Sequence, residues 1–173
     1  MHPSLEARLG AITFGAPLPP PQEPAPAPSE TTAALNRLLR QELAAIEAYE
    51  RAGRMIEGCH YRAELRTVQE GHRRRSDALH VLLLARHAQP AAGPGVWGVV
   101  VLVAESTAGW LGVRMVLATL HELEQRSVAN YRRELPHVDE LTRTQVEAEL
   151  LPAQENSLAI ITGLSAHPSE DPA

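Results

Sequence analysis

The sequence predicts an all-α protein, an antiparallel four-helix bundle with a long crossover between its second and third helices. Apolar residues make up 44% of the 173 residues but aromatic residues only 3%, so Ala and Leu must fill the core, which suits packed helices. Four long segments carry apolar residues at helical spacing, and none alternates as a strand does. A loop rich in Pro and Gly, residues 88–95, separates the two halves.

The helix ends follow from capping residues and prolines. Ser29 or Thr31 can cap the first helix, and Pro136 stops the third near Leu135, after an apolar connection over residues 96–112. Pro152 predicts a kink in the fourth helix, or a helix start just before it. We expect the first, second and fourth helices at about Thr31–Ile56, Tyr61–His87 and Asp139–Leu164.

The ends of the chain differ from the bundle in composition. Residues 17–28, PLPPPQEPAPAP, cannot form a helix because proline fixes φ and removes donors. We therefore predict a Pro-rich arm over residues 1–30, either a flexible tail or a docking segment with the apolar motif LEARLGAITFGA. The bundle occupies residues 31–165, and a disordered tail occupies residues 166–173.

Charge and cysteine content narrow the partners and the compartment. A net charge of −5 argues against a nucleic-acid surface. The single cysteine, Cys59, allows no internal disulfide, and the N-terminus lacks a secretory pattern, so we expect a cytoplasmic protein. The apolar run 96–104 is too short to span a bilayer, and we interpret it as a buried helix or as a surface for a membrane or an apolar partner.

Polar residues interrupt every apolar stripe near its midpoint. An unpaired carboxylate in an apolar core either takes up a proton or costs many kcal/mol, so the two glutamates among them must meet a cation or donors. Metal is one solution, and a histidine and an arginine from the second helix are another. The interrupting residues are Glu42 in the first helix, His72 and Arg75 in the second, Glu124 in the third, and Gln154 and Ser157 in the fourth.

The first and third helices repeat the same pattern. Aligning Glu42 with Glu124 also aligns Tyr49 with Tyr131, and leucines at two further positions coincide. This echo indicates two related helix pairs joined by the crossover. We expect both tyrosines to pack in the core with their hydroxyls on a carboxylate.

These segments resemble the ferritin-like superfamily over roughly residues 33–164. The first helix, LNRLLRQELAAIEAY, is similar to that of bacterioferritins, and the stretch from Trp97 through STAGWLG to Tyr131 is similar to demethoxyubiquinone hydroxylase. The resemblance implies a di-iron site in which Glu42 and Glu124 bind metal, together with a Glu-x-x-His motif on each of the other two helices.

The second and fourth helices, where the Glu-x-x-His motifs are expected, depart from that ligand set. The motif positions of the second helix hold His72 and Arg75 in one register, or Gln69 and His72 in the other. Those of the fourth helix hold Gln154 and Ser157, which are poor ligands for iron. Of six expected ligands, only the two glutamates match, and His72 could serve as a third.

Three interpretations of the layer follow. In the first, Arg75 replaces metal as the counter-charge of a carboxylate. In the second, Glu42, Glu124 and His72 hold one metal ion. In the third, a full di-iron site recruits Glu105, His121 or Glu122. The first favours a non-catalytic protein without cofactor, acting through its surface or N-terminal arm as a homo-oligomer or with a protein partner. The alternatives are an iron-dependent oxidoreductase or iron-handling protein, and a membrane-surface protein that binds an apolar ligand.

Overall fold

The computed structural model describes residues 29–56, 59–94 and 109–166, and these ranges form four long helical segments, the last of them interrupted by a π turn. These ranges contain helices and turns and no strand, which confirms the all-α prediction. No helix in them is long and apolar enough to cross a membrane. The elements are α1 (Glu30–Met55), α2 (Cys59–Leu84), α3 (Gly109–Glu134), a 3₁₀ turn (Leu135–His137), α4 (Glu140–Gln145), a π turn (Val146–Leu150) and α5 (Leu151–Ala166).

Ser29 caps α1, and the alternative cap Thr31 lies inside the helix. The Ser29 side chain accepts a hydrogen bond from the Thr32 backbone N–H at 3.2 Å, which satisfies one of the free donors of the first turn. Glu30 adds a negative charge where the helix dipole favours one.

The second helix ends earlier than predicted. Its last residue is Leu84, and the expected end, His87, adopts a left-handed conformation with φ of 55°. The Ala88 N–H bonds to the Leu83 carbonyl at 3.0 Å, and the His87 N–H bonds to the Leu84 carbonyl at 2.9 Å. This pair of bonds is the Schellman arrangement, which satisfies the last carbonyls and turns the chain away from the helix axis.

The fourth helix accommodates Pro152 through a π turn followed by a new helix, α5, which begins at Leu151, just before the proline, as the second of the two predicted alternatives has it. Thr142, Val146, Leu150 and Gln154 all face the core although they are spaced four residues apart. In an α-helix each such step drifts by about 40° around the axis. The wider turn, in which the Leu151 N–H bonds to the Val146 carbonyl, takes up this drift and keeps Gln154 inward.

Two apolar clusters fill the bundle, one on each side of the polar layer. α1 packs against α2 and α3, and α5 packs against the same two helices. In the last turns of α2, Leu83 is buried and Leu82 is only partly so. One cluster contains Tyr49, Ala52, Ile56, Tyr61, Leu65, Val68, Val116, Leu117, Leu120, Ile161 and Leu164, and the other contains Leu35, Leu38, Leu39, Leu79, Leu83, Tyr131, Val146 and Leu150.

Three predicted segments lie outside the described residues: most of the N-terminal arm (residues 1–28), the apolar run 96–104, and the C-terminal residues 167–173.

Candidate functional site: a buried layer of charges

All eight residues predicted for the polar layer meet in one hydrogen-bonded network. Each is at most 3% exposed, and both carboxylates are fully buried. α1 and α3 each supply one glutamate and one tyrosine, whereas α2 supplies His72 and Arg75 and α5 supplies Gln154 and Ser157.

Glu42 accepts hydrogen bonds from three groups on two helices. Its Oε2 lies 2.7 Å from His72 Nδ1 and 3.2 Å from Arg75 Nε, and its Oε1 accepts from the Tyr131 hydroxyl at 2.8 Å. Burial raises the pKa of Glu42, but the charge and hydrogen bond of His72, with Arg75 and Tyr131, outweigh it, and the net pKa lies below the usual range. Glu42 is therefore a buried carboxylate anion.

Glu124 is held by one group from each of the other three helices. Its Oε1 lies 3.0 Å from His72 Nε2 and accepts from the Tyr49 hydroxyl at 2.7 Å. Its Oε2 accepts from the Gln154 amide at 2.5 Å. The other end of that amide, Gln154 Oε1, is buried without a hydrogen-bond partner among the described residues. Reversing the amide would place two oxygens against each other, so Glu124 determines its orientation.

The two tyrosines cross between the halves of the bundle. Tyr49 of α1 bonds to the glutamate of α3, and Tyr131 of α3 bonds to the glutamate of α1. Burial and the adjacent carboxylate raise the pKa of each tyrosine well above its usual value, so both remain neutral donors. The sequence pattern that α1 and α3 share thus places the tyrosine of each helix in a hydrogen bond with the glutamate of the other.

His72 lies between the two carboxylates and carries a proton on each ring nitrogen. Burial lowers its pKa, but Glu42 and Glu124, each facing one nitrogen, raise it overall from 6.5 to about 9. Arg75 Nη2 lies 2.8 Å from Nδ1 and opposes this protonation because two donors then face each other. Two anions against one cation decide the balance, and His72 is an imidazolium near neutral pH.

Arg75 is the second cation of the layer and links α2 to α5. Besides the bond to Glu42, its Nη1 donates to the Ala153 carbonyl at 3.2 Å and to Ser157 Oγ at 3.3 Å. Two carboxylates thus face one imidazolium and one guanidinium, and the charges of the layer sum to zero.

These contacts decide the register of α2 that the sequence left open. His72 and Arg75 are the inward pair. Gln69 lies at the edge, 9% exposed, and its amide donates to the Ile46 carbonyl at 3.0 Å. The shift along the chain that places Glu42 on Glu124 also places His72 on Gln154 and Arg75 on Ser157, so α2 and α5 occupy equivalent positions.

Gly71 is a contributor that the sequence analysis missed. A Cβ at this position would lie 3.2 Å from Arg75 Nη1 and 3.5 Å from Ser157 Oγ. Glycine therefore leaves room for the guanidinium between α2 and α5. The sequence did carry a signal for this role, because a glycine inside a long helix, four residues before Arg75, usually has a packing reason.

The donor set does not fit the metal site that the resemblance implies. Arg75 and protonated His72 place two positive charges where divalent cations would need anions, and Gln154 turns its NH₂ group toward the layer. Of the extra ligands considered, Glu122 is on the surface with Arg126, and Glu105 lies outside the described residues. No group of three or more His, Cys, Asp or Glu residues in the described ranges has a geometry that could hold a metal.

Comparison with known proteins gives no match to a family model, to a curated protein or to a solved structure.

Removing Arg75 should leave Glu42 with less compensating charge in a buried site. We expect Arg75→Ala to lower the free energy of unfolding by about 3–5 kcal/mol, the usual cost of breaking a buried ion pair from one side. The neighbouring Arg74→Ala is the matched control, because that side chain is 77% exposed and should change stability by less than about 0.5 kcal/mol. Urea unfolding measures both, and equal effects would contradict the buried role of Arg75.

Stability should fall with rising pH on the alkaline side of neutrality. His72 has a folded pKa of about 9 against 6.5 for an ordinary histidine, so its contribution is complete below pH 6.5 and is lost as the pH approaches 9. The total is roughly 3 kcal/mol. Urea midpoints at several pH values test this, with His72→Gln as the reference that lacks the titrating group. Parallel pH profiles for the two proteins would show that His72 is not a buried imidazolium.

Proposed function

We propose that this chain is a ferritin-like, antiparallel four-helix bundle in which buried ion pairs replace a metal centre. It acts as a non-catalytic binding or structural protein, through its surface or N-terminal arm, as a homo-oligomer or with a protein partner. The observation that carries the proposal is the Arg75 guanidinium within hydrogen-bond distance of Glu42, beside a histidine that bridges Glu42 and Glu124.

Contacts between helices support the antiparallel order. Asn36, near the start of α1, bonds to Gln89 just beyond the end of α2, whereas Ile46 farther along α1 bonds to Gln69 in the earlier part of α2. The interval of residues 85–108 between α2 and α3 is long enough for the crossover of a ferritin-like bundle.

A non-catalytic role is supported by the way the layer is closed. Its acidic and basic side chains are committed to one another. Tyr49 is the only one of the eight layer residues that lines the cleft of about 330 Å³ between α1 and α2, and its hydroxyl is bonded to Glu124. Catalytic acids and bases need reach to a substrate proton, which these contacts do not offer.

An association surface is supported by exposed apolar side chains at one end of the bundle. Val81 and Leu84 in the last turns of α2 are more than half exposed, as is Leu141 in α4. The ion pair between Arg86 and Asp139 ties these two regions together. Contiguous exposed apolar surface is typical of contacts between proteins, and we propose that these three side chains contribute to such a surface.

The proposal predicts that the protein binds no divalent metal in its layer. Protein purified without chelator should contain no stoichiometric metal by plasma mass spectrometry, and anaerobic Fe²⁺ should leave the urea midpoint unchanged. A ligand that binds only the folded state at a hundred times its Kd would add about 2.7 kcal/mol, which is easily measured. A pair of iron ions per chain, with a raised midpoint, would contradict the proposal.

A rebuilt ligand set provides the positive control. The variant His72→Glu/Arg75→His/Gln154→Glu/Ser157→His restores Glu-x-x-His at both motif positions. If the bundle is ferritin-like, this variant should take up iron while the parent does not. Uptake by the parent alone would show that the natural layer holds iron in spite of Arg75, which would contradict the proposal.

A further inference from the structure

A groove on the outside of the bundle, between α1 and α3, is separate from the charged layer. Its volume is about 420 Å³, within the range of pockets that hold small organic ligands. It is formed by Arg37, Leu38, Arg40, Gln41 and Ala44 of α1 and by Leu123, Arg126, Ser127, Ala129, Asn130, Arg133 and Glu134 of α3.

The floor of this groove offers apolar surface for an alkyl chain. Ala44, Leu123 and Ala129 supply it, above the buried Leu38. Polar groups along the groove are satisfied by one another: Asn130 donates to Gln41 at 2.7 Å, and Gln41 donates to a backbone carbonyl of α3 at 3.4 Å. A ligand lying here would displace little hydrogen bonding.

The rim carries more positive charge than the protein neutralises. Four arginines surround the groove in a chain whose net charge is −5. Glu134, 3% exposed, pairs with Arg37 at 2.7 Å and with Arg133 at 3.3 Å. Arg40 has no ion-pair or hydrogen-bond partner in the described part of the chain, and Arg126 meets only the exposed Glu122 there.

We propose that this groove binds a free anionic amphiphile, a fatty-acid-type carboxylate, with its chain on the apolar floor and its head group between Arg40 and Arg126. Guanidinium groups match carboxylates in shape as well as charge, and these two, one from each helix, are the ones not engaged by Glu134. An apolar floor beside a cationic rim favours an amphiphile over a small polar anion or a neutral lipid. The inference does not depend on the absence of metal from the layer.

Decanoate titrated into the full-length protein by calorimetry, below its micelle concentration, tests this site. We expect one bound molecule per chain. Arg40→Gln/Arg126→Gln should weaken binding tenfold or more, because the loss of even one charged hydrogen bond costs about a factor of ten. Arg73→Gln/Arg74→Gln, the same charge change on the exposed face of α2, should bind like the parent.

Two further measurements distinguish the contribution of the alkyl chain to binding from that of the carboxylate head group. Decanol, which lacks the charge, should bind the parent about tenfold more weakly than decanoate. Ala129→Trp, a change at an exposed position that fills the groove, should abolish decanoate binding. The inference is overturned if decanoate does not bind, if decanol binds equally well, if both arginine pairs have the same effect, or if only vesicles of anionic phospholipid bind.

Discussion

His72 lies between two fully buried carboxylates, and the middle of the bundle depends on this contact. Removing two anions from water is costly unless opposite charges and donors meet them at once. One imidazole meets both because its two ring nitrogens point in opposite directions, toward α1 and toward α3. Arg75 then supplies the second positive charge, and the neutral donors of the tyrosines and of Gln154 satisfy most of what remains.

The layer divides its charges unequally among equivalent helices. Both anions come from α1 and α3, both cations come from α2, and α5 contributes only neutral groups at the matching positions. No pair of helices can therefore satisfy the layer alone, because the absence of any one helix leaves a buried charge or a hydrogen-bond donor without its partner. Such mutual dependence should make assembly of the bundle cooperative. The apolar clusters on either side of the layer also hold the helices together, but they specify the register between helices less strictly than the hydrogen bonds of the layer do.

Periodicity predicted the helices and the membership of the layer because a polar residue in mid-stripe is visible without coordinates. Glu42 and Glu124 were found in this way. The register of α2 was not predictable, because Gln69, His72 and Arg75 follow one another at three-residue steps and share one face. The π turn before Pro152 escaped prediction for a related reason: four-residue spacing suits a drifting α-helix as well as a wide turn. Arg40 and Arg126 look like ordinary surface residues until α1 and α3 are placed side by side.

The charge balance of the layer depends on the protonation of His72, and ¹⁵N NMR of the imidazole ring measures it. At pH 7.5 we expect both ring nitrogens of His72 to carry protons, and we expect the ring to titrate near pH 9, far above an ordinary histidine. A neutral ring with a single protonated nitrogen at pH 7.5, titrating near 6.5, would contradict it. Glu42 and Glu124 would then lack their shared cation, and another group would have to neutralise them.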